Sequence, residues 1–413
     1  MSAAQRLRTA LVALAGSRTT RLVLVGVACI AAVGSVYIGA VRATTPGADF
    51  GSGDFQWSPT RLLLEGGDPY AARLSGSDRI ILTQSPNYLH LLYWVLAPFG
   101  AMPFSTALWS WMVLNVLAAT ALGLWYGRLA GCGRTGSVLF AAALLCSTPF
   151  RLGLSYGQHA VLVLACATVA FAAARRSWAG VALAVALTKY SFAPLGLVML
   201  VRGRLRTVVM AGGALLLAAV AFSIVTGTDL GTALREPFQL SRASVGNGTA
   251  DVMTVASFTP WLSANSPVLT VLALVTATGA TACAVRVLRE GDWVFGLGVS
   301  AMISLVSFKH LTHDFVLLLP VLVLLLRLRG PRAWLGWAGI AYHWYVLGVL
   351  SQLGAPLDTP AVTVVSFVVL SGLLVLVTTA PGARRSRSPE LPSEPGRPRP
   401  ADAERTPDPS AAG

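Results

Sequence analysis

The feature that most constrains this chain is a series of long apolar segments separated by short basic turns. A helix needs roughly 20 apolar residues to cross the hydrocarbon core of a bilayer, and the first segment, 22–41, has that length. Of the 413 residues, 55% are hydrophobic and only 12% are charged, whereas soluble domains carry roughly 25% charged residues. The sequence therefore predicts an all-α polytopic membrane protein and argues against a soluble globular, disordered or collagen-like chain.

The segments that follow predict about twelve spans within a membrane domain at 22–380. Segment 88–102 is short enough to be less than a full span, and Lys189 and Pro194 break 179–201. Basic residues at both ends of 179–201 favour a hairpin of two short helices with an extracytoplasmic tip, and a single span is the alternative. The apolar segments lie at 22–41, 88–102, 104–127, 137–149, 158–174, 179–201, 207–226, 267–285, 293–308, 314–326, 334–350 and 361–380.

Arginine clusters orient the predicted spans. The net charge of +14 lies mostly in the tails and between apolar segments, as expected where cytoplasmic loops are enriched in Lys and Arg. Residues 1–21 are therefore predicted to be a cytoplasmic N-terminus, and 381–413 a disordered cytoplasmic tail with too few apolar residues to form a core. No basic patch with interleaved aromatic residues is present, so we expect no nucleic-acid partner.

Two polar stretches, 42–87 and 227–266, are predicted to lie together on the extracytoplasmic side. The interior of the first, 58–67, is expected to form a short interfacial helix, and Gly66 to Tyr70 a turn that ends it. Five acidic residues lie in the first loop: Asp49, Asp54, Glu65, Asp68 and Asp78.

Ionisable residues beside apolar segments are costly and are therefore candidates for function. The chain has only two lysines, Lys189 and Lys309, both at predicted outer ends of apolar segments. A lysine there can bind a lipid phosphate as a compact point charge. Asp49 and Asp54 each precede a phenylalanine, and either carboxylate can act as a general base.

The histidines have weaker signals. His310 and His313 lie about one helical turn apart and can share a face with Asp314. A metal site there is conceivable, but polar contacts to a sugar or phosphate are favoured, and we expect neither a metal nor another cofactor. His90 and His159 are interpreted as interfacial side chains near outer helix ends.

The order of several motifs resembles the polytopic glycosyltransferases of the GT-C fold, specifically glycosyltransferase family 87. The similarity covers about residues 22 to 380. Its motifs are Asp54-Phe55 with Trp57, Gly66 to Tyr70, the Tyr88-led stretch to Phe104, Gly157-Gln158, Lys189 with Pro194, and Ser307-Phe308 with His310 and His313.

The resemblance implies an inverting transfer of mannose or arabinofuranose from a polyprenyl-phosphate donor at the outer leaflet. Asp54 would deprotonate the acceptor hydroxyl, with Asp49 as the rival base. Lys189, His313 and His310 would contact the donor phosphate or substrate, together with Gln158, Tyr88 and His90. The acceptor would be a cell-envelope glycolipid or polysaccharide, and the location a multi-pass position in a bacterial, actinobacterial plasma membrane.

Two alternatives stay open on the sequence. Where the family has Tyr-Pro-Pro, this chain has Tyr88-Leu89-His90, so an inactive scaffold with the same fold is one alternative. The other is a transporter or lipid flippase without chemistry, which accounts for the spans and a buried lysine. It accounts less well for two polar loops on one side, the first rich in acids.

Overall fold

A computed structural model describes residues 17–45, 54–80, 86–243, 267–354 and 359–384, and this part of the chain is helical without any β-strand. The prediction of an all-α class is therefore confirmed. The helices are α1 (Arg18–Thr44), α2 (Trp57–Leu64), α3 (Pro69–Leu74), α4 (Leu91–Gly100), α5 (Phe104–Leu129), α6 (Gly133–Cys146), α7 (Thr148–Ser155), α8 (Ala160–Ala172), α9 (Ala179–Ala186), α10 (Ala193–Val201), α11 (Leu205–Thr226), α12 (Leu230–Ala243), α13 (Pro267–Glu290), α14 (Trp293–Ser307), α15 (Leu319–Leu326), α16 (Pro331–Ala341), α17 (Leu347–Gln352), α18 (Pro360–Thr379) and α19 (Pro381–Arg384). Short 3₁₀ helices at Tyr190–Phe192 and Thr312–Leu318 and a π-helix at Tyr342–Val346 join them.

Five of the described helices are long and apolar enough to cross a membrane: α1, α5, α11, α13 and α18. Helices α6 and α7 form a sixth candidate if their 53° bend is counted within one span. Twelve spans are thus not confirmed. The remaining predicted spans include apolar helices of 10 to 17 residues, and a ten-residue helix such as α4 is only about 15 Å long, half the thickness of a bilayer core.

One of these shorter helices, α14, forms the centre of the bundle. Every residue of 294–307 is buried, and α14 contacts α10, α13, α15 and α18. By contrast, α1 buries only Ala32, Ser35, Gly39 and Ala43. Both helices are apolar, but α14 packs against protein whereas α1 leaves most of its apolar surface for lipid.

The chain is broken at Lys189, where the sequence predicts two half-length helices. Helix α9 ends at Ala186 and α10 begins at Ala193, with Lys189 in an extended link before the 3₁₀ turn. Pro194 is accommodated in the first turn of α10, where its missing N–H costs nothing. The extracytoplasmic position of this break remains a prediction.

The first polar loop contains two helices, and its Asp-Pro-Tyr motif has a different role from the one predicted. Gly66, with φ +79°, follows the end of α2, but Asp68 then starts a new helix. Its Oδ1 accepts the N–H groups of Tyr70 and Ala71 at 2.8 and 3.0 Å. An N-cap carboxylate of this kind satisfies otherwise unpaired donors, so the motif begins α3 as well as ending α2.

Asp68 also connects the two polar loops. Its Oδ2 accepts a hydrogen bond of 2.6 Å from the Thr228 hydroxyl, and helix α12, in the second loop, contacts α3. The described parts of the two loops therefore lie at the same end of the bundle. The membrane side of that end is not fixed by these contacts and stays a prediction.

The opposite end of the bundle is basic. Arg202 donates to the carbonyl groups of Leu288 and Gly291 at 2.6 and 2.9 Å, and Arg327 pairs with Asp292 at 2.8 Å. We call this cluster the basic end. Helix α14 leads from Asp292 towards the Lys189 region, so about 22 Å of helix separates the two.

Candidate functional site

Asp54 lies in a buried turn at the start of α2. Its side chain is fully buried, its Oδ1 accepts the Ser58 N–H at 2.9 Å and its Oδ2 accepts the Ser58 hydroxyl at 2.7 Å. Burial raises the pKa of the Asp54 carboxyl, and the hydrogen bonds from Ser58 offset part of the rise. A carboxyl group with a raised pKa is better matched to general-base chemistry near neutral pH than an ordinary aspartate.

The backbone after Asp54 is strained. Phe55 and Gln56 have φ values of +37° and +67°, in a region that residues other than glycine rarely adopt. Strain of this kind persists only where the surrounding structure enforces it, and it is concentrated at functional sites. The turn therefore requires a support, which the segment between α7 and α8 supplies.

That support is Gly157 to His159. The Nε2 atom of His159 lies 3.1 Å from the Phe55 carbonyl oxygen. A Cβ on Gly157 would lie 2.7 Å from the Phe55 Cβ, so only glycine fits there. The Phe55 ring also stacks on Trp111, with centroids 5.3 Å apart. His159 is buried, so its interpretation as an interfacial side chain is wrong, and it belongs to the site.

Tyr88 and Gln158 come together as a second element of the site. The Tyr88 hydroxyl donates to Gln158 Oε1 at 3.0 Å, and the Tyr88 ring meets that of His159 edge-on at 5.1 Å. The next residue, Leu89, donates its N–H to the Thr188 carbonyl at 2.8 Å. The segment after the first loop is therefore tied directly to the residue that precedes Lys189.

Lys189 forms a charged cluster with Asp314 and His310. The Lys189 Nζ lies 2.5 Å from Asp314 Oδ2, and the same oxygen lies 2.9 Å from His310 Nδ1. His310 Nε2 is 3.1 Å from the Ser304 hydroxyl, which donates to the Ser191 carbonyl. Asp314 is buried, while the Lys189 side chain keeps 20% of its surface exposed. Lysine is therefore the member of this cluster best placed to meet a ligand.

His313 approaches the other carboxylate oxygen of Asp314. Its Nε2 is 3.7 Å from Asp314 Oδ1, and that oxygen has no hydrogen-bond partner among the described residues. The Lys189 cluster and the support of the Asp54 turn are linked through Tyr88 and Leu89, because the Tyr88 ring contacts His159 and Leu89 bonds to the residue before Lys189.

His90 does not join this group. It is buried against the Tyr70 and Phe222 rings, with centroid distances of 5.2 and 4.4 Å. Its interpretation as an interfacial side chain is wrong for the same reason as that of His159. Asp49, the rival of Asp54, lies outside the described residues.

Asp314 and His159 are the residues that sequence reasoning undervalued. The proposed metal alternative used Asp314 as a ligand, but its Oδ2 is occupied by Lys189 and His310. Within the described ranges no group of three or more His, Cys, Asp or Glu side chains is arranged to hold a metal ion. A signal existed in the sequence, because His159 directly follows the Gly-Gln motif and Asp314 directly follows His313.

The comparisons with known proteins give one match. The model of glycosyltransferase family 87 matches residues 91–311, more than half of the chain. The matched range contains Gln158, Lys189 and His310 and ends just before His313, while Asp54 precedes it. No curated protein and no solved structure matches the chain.

Proposed function

The chain belongs to glycosyltransferase family 87 and is therefore a glycosyltransferase with membrane-spanning helices. From this premise we propose that it transfers mannose or arabinofuranose from a polyprenyl-phosphate donor to a cell-envelope glycolipid or polysaccharide. The transfer would take place on the extracytoplasmic face of a bacterial plasma membrane. The family match over 91–311 is the observation that carries the proposal.

Asp54 is the proposed general base. It takes the proton of the acceptor hydroxyl, whose oxygen attacks the anomeric carbon of the donor sugar. The bond from that carbon to the phosphate oxygen breaks, the configuration inverts, and polyprenyl phosphate leaves with the electron pair. The buried turn, held by His159 and Gly157, supports this role because a base must be placed to within hydrogen-bond reach of its proton.

Lys189 is the proposed partner of the departing phosphate. A fixed ammonium group directed at a site of developing negative charge lowers such a barrier without reorganisation. The contact with Asp314 restricts the lysine to one position, and part of its side chain stays accessible. His313 and Tyr88 are proposed to contact the substrate between the phosphate and Asp54.

The direct test is a transfer assay in membranes that contain the expressed chain. Labelled polyprenyl-phosphate mannose and polyprenyl-phosphate arabinofuranose are supplied separately with lipid extracts as acceptors. We expect a labelled product from one donor with the wild-type chain and none with membranes lacking it. Well-expressed, folded protein that transfers neither sugar would overturn the proposal and favour transport without chemistry.

A further inference from the structure

A cavity of about 630 Å³ lies beside α2, and no residue of the Lys189 cluster lines it. Trp57, Ser58 and Arg61 line it from α2, Arg79 from the segment after α3, and Phe104 from the start of α5. This volume falls within the range of small-molecule sites, which is roughly 300–1,000 Å³. None of the roles proposed above uses this cavity.

One wall of the cavity is a fixed aromatic surface. The Trp57 indole N–H donates to the Met102 carbonyl at 3.1 Å, and its ring meets that of Phe104 at a centroid distance of 5.3 Å. Both contacts hold the Trp57 ring in place. A flat apolar face of this kind packs well against the C–H face of a sugar ring.

The other wall is polar but has no formal net charge. Glu65 accepts hydrogen bonds from Arg61 at 2.8 Å and from Arg79 at 2.6 Å. Two arginines and two acids, Glu65 and Asp78, line the cavity, so their charges cancel. The pairs are about half exposed, and exposed ion pairs add little to stability. Their donors and acceptors suit the hydroxyl groups of a neutral sugar better than a phosphate, which needs uncompensated cations.

One lining residue of the cavity binds the candidate base. Ser58 lines the cavity, and its hydroxyl donates to Asp54 Oδ2 at 2.7 Å. A ligand in the cavity would therefore lie one side chain away from the carboxylate that is proposed to activate the acceptor. We propose that this cavity binds a neutral sugar residue of the acceptor, an assignment that rests on the proposed transferase function.

The test measures binding of neutral sugars without the donor. Saturation-transfer NMR is recorded on the purified full chain in nanodiscs with mannotriose, with arabinofuranotriose and with inorganic phosphate as a competitor. We expect one trisaccharide to bind and phosphate not to displace it. Glu65→Gln and Phe104→Ala should each weaken binding by about tenfold or more, because each removes a direct contact.

The matched control is Glu290→Gln. Glu290 also pairs with an arginine four residues earlier, Arg286, and with a second arginine, Arg384, but at the basic end. It should leave sugar binding unchanged, and thermal unfolding verifies that all variants are folded. The assignment is overturned if neither sugar binds, if phosphate displaces the sugar, or if Glu65→Gln and Glu290→Gln behave alike.

Two outcomes distinguish this assignment from the proposed function. If the chain binds sugar in a way that depends on Glu65 but has no transfer activity, the cavity assignment is supported and the transferase proposal is rejected. If the chain is active but Glu65→Gln changes neither sugar binding nor the KM for the acceptor, the transferase proposal is supported and the cavity assignment is rejected.

Discussion

The two ends of the helical bundle both carry charge, but they use it differently. At the basic end, Arg202 and Arg327 direct their guanidinium groups to helix carbonyls and to Asp292. At the end that holds Lys189, buried atoms such as Asp314 Oδ1 and His159 Nδ1 have no hydrogen-bond partner among the described residues. The charges of the basic end mainly join helices, although Arg384 Nε there also lacks a hydrogen-bond partner among the described residues, whereas the other end has unpaired buried atoms beside a partly exposed lysine.

Unpaired buried polar atoms indicate a ligand-binding region better than the presence of charged residues alone does. Leaving a buried acceptor unpaired costs about 1–3 kcal/mol, so such atoms are rare unless something else satisfies them. At the Lys189 end they occur together with a strained turn and a partly exposed lysine side chain. Substitutions there should change the reaction, whereas substitutions at the basic end should change stability.

Asp54→Asn should have the largest effect on transfer. Loss of a general base lowers the rate by about 10²–10⁴-fold. Asparagine keeps the shape and still accepts the Ser58 N–H, so we expect a folded, well-expressed variant. Because burial raises the pKa of Asp54 above 3.8, the wild-type rate should fall with decreasing pH through a value above 3.8. Transfer rates across pH measure both effects.

Asp49→Asn is the control for that experiment. It should retain transfer, since Asp54 is the proposed base. If Asp49→Asn abolishes transfer while Asp54→Asn does not, the two residues exchange roles and the mechanism stands. Full activity in both variants would reject a carboxylate base in this protein.

Lys189→Met should lower transfer by about 10²–10³-fold, the usual cost of removing a fixed group that stabilises developing charge. It also leaves the Asp314 carboxylate without its cation, and breaking a buried pair destabilises a protein by about 3–5 kcal/mol. Rates and unfolding midpoints must therefore be measured together.

The double variant Lys189→Met with Asp314→Asn separates these effects. Removing both charges should recover much of the lost stability while the transfer rate stays low. Recovery of transfer together with stability would show that the lysine acts only in folding and would contradict its phosphate role.

The predicted class of fold is confirmed, whereas the predicted number of twelve spans is not confirmed. Hydropathy records that α1 and α14 are both apolar, and it carries no information on whether lipid or protein covers them. Only the packing shows that α14 is buried on all sides and that α4 is too short to cross alone. The break at Lys189 was predictable because charge and proline interrupt an apolar segment together.

The individual residues of the candidate site could be predicted from the sequence, but the contacts between them could not. Motif order identifies Asp54, Gln158 and Lys189, which lie far apart in the chain. The left-handed turn after Asp54 and its contact with His159 depend on tertiary packing, and neither has a signature in local spacing. Lys189 and Asp314 are 125 positions apart, so their pairing also follows only from the fold.

Arg202→Gln tests the other side of the comparison. Arg202 donates to two carbonyl groups at the basic end, and hydrogen bonds of charged groups contribute about 1.5–3 kcal/mol. We expect a lower unfolding midpoint in detergent with an unchanged KM for the donor. Arg286→Gln, which alters a largely exposed side chain, should leave the unfolding midpoint and the KM for the donor nearly unchanged. A transfer defect in Arg202→Gln at full stability would contradict the expectation that substitutions at the basic end change stability and not the reaction.

Glu236→Gln should have the smallest effect, visible only in the pH dependence of stability. Glu236 lies against Asp68, where α12 meets the first loop, and burial, then Asp68 and Asp229, raise its pKa from 4.5 to about 7. The folded state therefore favours the protonated form. This contribution to stability is complete below pH 4.5 and is lost as the pH rises through 7. The wild-type unfolding midpoint should fall between about pH 4.5 and 7, and that of the glutamine variant, which cannot ionise, should fall less. An equal decline in both chains would mean that Glu236 is ionised in the folded protein, and the contact between the loops would then not depend on its protonation.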